Sequence, residues 1–161
     1  MKQLWAPWRM EFIAGEKEAG CIFCTRLGRQ QDREDLILQR GPKTFTLLNK
    51  FPYGAGHLMV VPHQHTDDLA KLDAATAAEL ISQVGVWRGI LTDALKAEGV
   101  NVGLNLGRAA GAGIEDHVHF HIVPRWVGDT NFMPVFSDTK VMPQALLETY
   151  DLLKAAIPAG S

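Results

Sequence analysis

Apolar and polar positions along the chain change period several times, and each change predicts an element. From Leu36-Ile37-Leu38 through Thr44-Phe45-Thr46-Leu47-Leu48 to His57-Leu58-Met59-Val60-Val61, short β-branched and apolar runs are separated by Gly41-Pro42 and by Phe51-Pro52-Tyr53-Gly54-Ala55-Gly56. These read as antiparallel strands joined by turns. Leu80, Val84, Trp87, Leu91 and Leu95 then recur at helical steps, with Asp73 placed to cap the start and Gly99 to end the helix. Val100 to Leu106 predicts another strand, and Gln144 to Ala156 a last amphipathic helix facing inward on Leu146, Leu147, Tyr150 and Leu153. Strands, one long helix, more strands and a closing helix predict an α+β domain with the helix packed on an antiparallel sheet.

Between the later elements runs His117-Val118-His119-Phe120-His121-Ile122-Val123-Pro124. A strand sends alternate side chains to opposite faces, so this pattern places three imidazoles side by side while Val118, Phe120 and Ile122 enter a core. A row of such groups offers hydrogen-bond donors and a nucleophile near neutral pH, which suits a phosphate group. The preceding stretch, Gly107-Arg108-Ala109-Ala110-Gly111-Ala112-Gly113, brings backbone amides where phosphate oxygens could approach without a Cβ in the way, although a glycine-rich turn does the same structurally.

At 161 residues and 47% hydrophobic, the chain suits one domain, with residues 1–20 as an N-terminal arm carrying Trp5 and Trp8, and 127–161 as a C-terminal extension and helix. The formal charge of −2 and the lack of a Lys/Arg block argue against nucleic-acid or membrane-surface binding, so an anionic ligand must be held locally. The longest aliphatic stretch, Leu58-Met59-Val60-Val61, is too short to cross a bilayer, and the start lacks a secretory apolar run. A cytoplasmic location is the expectation. Cys21 and Cys24 have the two-residue separation that, in a reducing compartment, reads as metal binding or redox chemistry before a structural disulfide.

The segment from His117 to Val123 resembles the signature of the histidine triad, or HIT, superfamily of nucleotide hydrolases and transferases. Asn49, eight residues before His57 in the segment ending at Pro62, resembles that family's nucleotide-binding strand pair, and Pro124-Arg125 follows as in relatives. The chain's two ends, Leu4-Trp5-Ala6-Pro7-Trp8-Arg9 and Trp126 to Pro134, look like the branch acting on diadenosine tetraphosphate. The resemblance implies that His119 attacks the α-phosphorus of a nucleotide, giving a covalent nucleotidyl-histidine that water or inorganic phosphate then relieves. His119 must be neutral, with its second ring nitrogen donating to a carbonyl that fixes the tautomer. His121 would steady phosphoryl oxygens and help the leaving group, with His117 completing the catalytic set. Asn49, His57, Asn105, Gly111 and Gly113 are the expected substrate-binding residues; Phe45 and Leu47 could line the base pocket, but apolar strand residues more often belong to the core.

Relatives commonly carry a glutamine and a hydroxyl residue where this chain has Ala112-Gly113-Ile114-Glu115-Asp116, a departure that leans toward phosphorolysis over hydrolase or phosphoramidase chemistry. Some pair a Cys-x-x-Cys with the histidine of a Val-Pro-x-x-His segment and with the first triad histidine. That implies a closed zinc site of Cys21, Cys24, His65 and His117, structural in role, with His63 as the rival to His65. No organic cofactor is expected. A homodimer or higher homo-oligomer is, by analogy with relatives.

Overall fold

The computed structural model describes residues 20–129 and 145–159. The tryptophan-bearing arm, apart from its last residue, and residues 130–144 of the C-terminal extension lie outside the described residues. The elements are helix α1 (Ile22–Gly28), strands β1 (Ile37–Arg40), β2 (Thr44–Leu48) and β3 (Leu58–Pro62), the long helix α2 (Ala74–Leu95), strands β4 (Gly99–Gly103) and β5 (Phe120–Arg125), and helix α3 (Leu146–Ala155). Among them no helix is long and apolar enough to cross a membrane.

The strands form one antiparallel sheet in the order β1-β2-β3-β5-β4, so β3 and β5 sit inside and β4 lies at an edge. Every residue of β2 and β3 is buried, because both faces of the sheet are covered there. On one face Leu38, Leu48, Leu58, Val60 and Ile122 meet Leu80, Trp87, Ile90 and Leu91 of α2 and Tyr150 and Leu153 of α3. On the other, Ile37, Phe45, Leu47, Met59 and Val61 meet Phe23 of α1. The two-residue period of the strands thus feeds two cores, and the second one backs the candidate site.

Asp73 caps α2 as its position predicts: its carboxylate accepts the Thr76 N–H at 2.8 Å and the Thr76 hydroxyl at 2.9 Å. Those hydrogen bonds, with Lys43 beside them, push the Asp73 carboxyl down to about 2. One oxygen of Glu79 takes the N–H groups of Lys43 and Thr44 and the Thr44 hydroxyl, fastening the β1–β2 turn to α2. Gly41 leaves room for that carboxylate, since a Cβ would lie 2.7 Å from the same oxygen and push the Glu79 side chain aside. Gly56, at φ +70°, lets the β2–β3 connection pass α2 where a Cβ would lie 2.5 Å from Leu95.

Three local expectations are corrected. Lys96, not Gly99, ends α2 in the left-handed conformation at φ 54°, and Gly99 opens β4 opposite Arg125. The strand expected to reach Leu106 stops at Gly103, beyond which pairing with β5 ends. Leu147 on α3 is exposed, because Tyr150, which donates to the Ile37 carbonyl, and Leu153 already fill the contact with the sheet.

Candidate active site

β5 pairs with β3 through Met59↔His121 and with β4 through Gly103↔His121, which fixes His121 on the face opposite α2. His117 and His119 precede the strand. The expected row of three side-by-side imidazoles is therefore corrected: His119 and His121 adjoin, with ring centroids 4.8 Å apart, while His117 turns toward the cysteines. The segment leaves the ladder because the Val118 N–H donates to the carbonyl of Thr66 at 2.7 Å instead of to a strand neighbour. Val118 and Ile122 are buried and Phe120 packs on the α2 side, as alternation requires.

Hydrogen bonds assign the tautomers. The His117 carbonyl can only accept, so His119 donates to it through Nδ1–H at 2.8 Å and keeps its lone pair on Nε2. Only 5% of His119 is exposed, and burial holds its imidazole below the usual range, in the uncharged state. The Tyr53 N–H donates to His57 Nδ1 at 3.0 Å, so His57 carries its proton on Nε2 and donates it to His121 Nδ1 at 2.9 Å. The proton of neutral His121 is thereby placed on Nε2. Asn49 joins this chain, with Nδ2 at 3.4 Å from His57 Nδ1 and its Oδ1 accepting the Phe51 N–H at 2.9 Å. Tyr53 stacks on the His57 ring at 4.8 Å.

Asn49, Asn105, Gly111, Gly113, His119 and His121 line one cleft. His57 does not: it is fully buried behind His121, which corrects its assignment as a residue touching substrate and makes it a support for the ring that does line the cleft. Gly107 and Gly111, at φ 79° and 83°, bracket the turn that delivers Gly111 and Gly113. Phe45 and Leu47 belong to the core beneath. Residues not anticipated from sequence also form the wall, notably Ile22 and Arg26 of α1, Lys50, Tyr53, Met59 and Ile114. The signal for Met59 was its alternation with Leu58 and Val60; for Ile22 and Arg26 there was only proximity to the cysteine pair.

Beside the cleft, donor atoms of Cys21, Cys24, His65 and His117 all lie within 4.8 Å of one another, a set that could hold a metal ion. His117 donates Nε2–H to the Pro62 carbonyl at 2.9 Å, which leaves its Nδ1 lone pair 3.3 Å from Cys21 Sγ, 3.7 Å from Cys24 Sγ and 3.3 Å from His65 Nδ1. Cys24 Sγ is 3.4 Å from His65 Nδ1. Burial, followed by the neighbouring Cys21, pushes the Cys24 thiol up, and burial pushes the His117 imidazole down. Two thiols and two imidazoles whose donor atoms converge in this way are the ligand types of a tetrahedral cation site. Asp116 Oδ2 lies 3.8 Å from His65 Nε2, beyond hydrogen-bond distance but on the side of the ring away from the thiols. His63, the rival ligand, instead lies against Phe45 at 6.1 Å.

The HIT domain family model matches residues 30–127. The chain belongs to the HIT family. HIT relatives extend the match beyond that span: an AP-4-A phosphorylase of Mycobacterium tuberculosis (strain CDC 1551 / Oshkosh) is 35% identical, covering 95% of this chain and 83% of that protein. An adenosine 5'-monophosphoramidase of Schizosaccharomyces pombe is 31% identical over 65% of this chain and 74% of its own length. A crystal structure of a Zn-bound histidine triad family protein from Mycobacterium smegmatis superposes with a TM-score of 0.68 at 26% identity, covering 85% of this chain and 92% of that one. The HIT fold expected from the sequence is thus the one observed.

Proposed function

We propose that this HIT protein is a nucleotidyltransferase that cleaves dinucleoside polyphosphates at an α-phosphate, with diadenosine tetraphosphate as substrate and inorganic phosphate as acceptor. The observation that carries the reading is the 2.8 Å hydrogen bond from His119 Nδ1–H to the His117 carbonyl, which leaves a neutral ring with its Nε2 lone pair in a cleft beside His121. His119 Nε2 forms a bond to the α-phosphorus as the bridging P–O bond breaks, releasing ATP from diadenosine tetraphosphate. The Nε2–H of His121, held in that tautomer by His57, donates to phosphoryl oxygens or to the departing bridge oxygen. Phosphate then attacks the adenylyl-histidine to give ADP, and His119 regains its lone pair. Similarity to the mycobacterial phosphorylase, over nearly the whole chain, supports this acceptor.

Cys21, Cys24, His65 and His117 would hold zinc as a closed four-ligand site. Two nitrogens each about 2.0–2.1 Å from a tetrahedral zinc lie about 3.3–3.4 Å apart, and the His65 and His117 Nδ1 atoms are separated by 3.3 Å. Bound there, zinc would supply folding energy, and its four protein ligands would leave it no part in the chemistry. The same reading has one cytoplasmic domain acting as a homodimer, with the exposed edge strand β4, and Val102 on it at 44% exposure, as the face for a second copy.

Incubation with diadenosine tetraphosphate tests the proposal. ATP and ADP are expected, formed only with added phosphate. ATP and AMP without phosphate would make the protein a hydrolase, and turnover of adenosine 5'-phosphoramidate alone would favour the phosphoramidase chemistry named for the yeast relative.

A further inference from the structure

We infer that the Cys21–Cys24–His65–His117 cluster is a positioning device for the nucleophile, aiming the His119 ring through the His117–Val118 peptide and through Phe23. The inference rests on the reading of His119 as nucleophile. Three contacts converge on one peptide unit. The His117 ring is pinned at both nitrogens, by the cluster at Nδ1 and by the Pro62 carbonyl at Nε2, 2.9 Å away. The N–H of the next residue, Val118, is held at 2.7 Å by the carbonyl of Thr66, the residue following the cluster histidine His65. A peptide is planar and trans, so a fixed N–H on one side fixes the C=O on the other. That C=O is the His117 carbonyl that receives the His119 Nδ1–H at 2.8 Å.

Phe23 adds a second coupling. It lies in sequence between the two cysteines, is fully buried, and places its ring 5.4 Å from His117 and 5.0 Å from His119. Its helix α1 has seven residues and no side-chain N-cap, too little to be stable alone; Arg40 holds its C-terminal end through the Leu27 and Arg29 carbonyls and Phe23 packs on the sheet, while the cluster anchors its N-terminal end at Cys21 and Cys24 on either side of Phe23. With a ligand removed, the peptide and the N-terminal end of α1 lose the anchor they share. His119 then samples both tautomers and loses its line of attack.

The test uses the full chain, labelled with 15N-histidine and loaded with zinc, beside His65→Ala and His65→Cys. In the loaded parent, the nitrogen spectrum shows His119 as a single Nδ1–H tautomer. In His65→Ala, with circular dichroism and cooperative unfolding confirming a retained fold, both tautomers are expected. Adduct formation at saturating nucleotide should then fall about 10²-fold, the scale of an ångström-size misplacement. His65→Cys, which restores a fourth donor, recovers both. Unchanged tautomer and rate in folded His65→Ala, or a parent protein that retains no zinc, overturns the inference. Should His65→Ala not fold, Phe23→Leu decides: it keeps all four donors, and a rate equal to the parent's counts against the inference while a severalfold loss with zinc retained supports it. The tautomer needs no turnover to be read, so a chain that shows the tautomer switch but never forms an adduct upholds the positioning role and sinks the enzymatic one.

Discussion

His117 and His119 are two residues apart, both buried, both pushed toward the neutral form by burial, and they use opposite ring nitrogens. His117 gives Nε2–H to Pro62 and turns its Nδ1 lone pair to two thiols and an imidazole; His119 gives Nδ1–H to the His117 carbonyl and keeps Nε2. The assignment of roles within the triad follows from which nitrogen a carbonyl can reach, and neither residue type nor spacing decides it. The same rule runs one step further to His121, where the acceptor at Nδ1 is set by the His57 N–H.

The comparison breaks first at His119. His119→Asn removes the lone pair and leaves the cluster donors in place, so turnover is expected to fall at least ~10⁴-fold, as for removal of other nucleophiles, while zinc content stays that of the parent. Rapid-quench detection of the nucleotidyl adduct beside metal analysis checks both halves. A variant that lost zinc in parallel would mean the two histidines do not divide the work as their tautomers indicate.

Stripping zinc attacks the other side. With free zinc near 1,000 times its dissociation constant, loading stabilises the fold by about 4 kcal/mol, and calorimetry with and without chelator measures it. The His119→Asn variant should show the same metal-dependent shift. An unfolding transition indifferent to chelator would remove the cation from the account of Cys21, Cys24, His65 and His117.

Much of this is legible in the sequence. Strand periods, the Asp73 cap and the α2 stripe follow from local chemistry; among the cleft residues Gly111 and Gly113 are marked by the glycine-rich stretch, whereas Asn49 and Asn105 are indicated only by the family resemblance. What sequence concealed was decided by contacts distant along the chain. Alternation through His117, His119 and His121 looks unbroken, and only the bond from Val118 to Thr66 takes the first two out of the ladder. His63 and His65 have similar claims as ligands until the strand end at Pro62 orients them. Ile22 and Arg26 reach the cleft because α1 packs across the sheet, an arrangement with no local signature.

His57 sharpens the contrast at smaller scale. His57→Leu leaves the cluster untouched, removes the N–H that sets the His121 tautomer, and takes away the His57 acceptor of the Tyr53 N–H. The lost hydrogen bond costs about 0.5–1.5 kcal/mol of stability. Turnover should fall about 10-fold, a loss of about 1.4 kcal/mol in transition-state stabilisation, with nucleotide affinity little changed because His57 is not in the cleft. Steady-state kinetics and thermal unfolding together separate these effects. A large rise in KM with kcat unchanged would instead place His57 in ground-state binding.

The smallest effect is a slope. The His119 imidazole is lowered by burial from its ordinary 6.5, so between that value and its folded one the unfolded chain binds a proton that the native chain does not. Its contribution to stability is therefore full above about 6.5 and declines as pH falls through the window toward the lowered value. The uncharged ring persists in the same window, so adduct formation should hold on the acid side of an ordinary histidine titration. His117 has a shift of the same direction and its protonation competes with metal, so the raw pH dependence mixes the two. The difference between parent and His119→Asn isolates one of them: the variant keeps the cluster, and its unfolding temperature should drop less steeply between pH 7.5 and 5, roughly the window around the imidazole value. Equal slopes would assign the whole acid sensitivity to the cluster and leave His119 without the burial-enforced neutrality on which its attack depends.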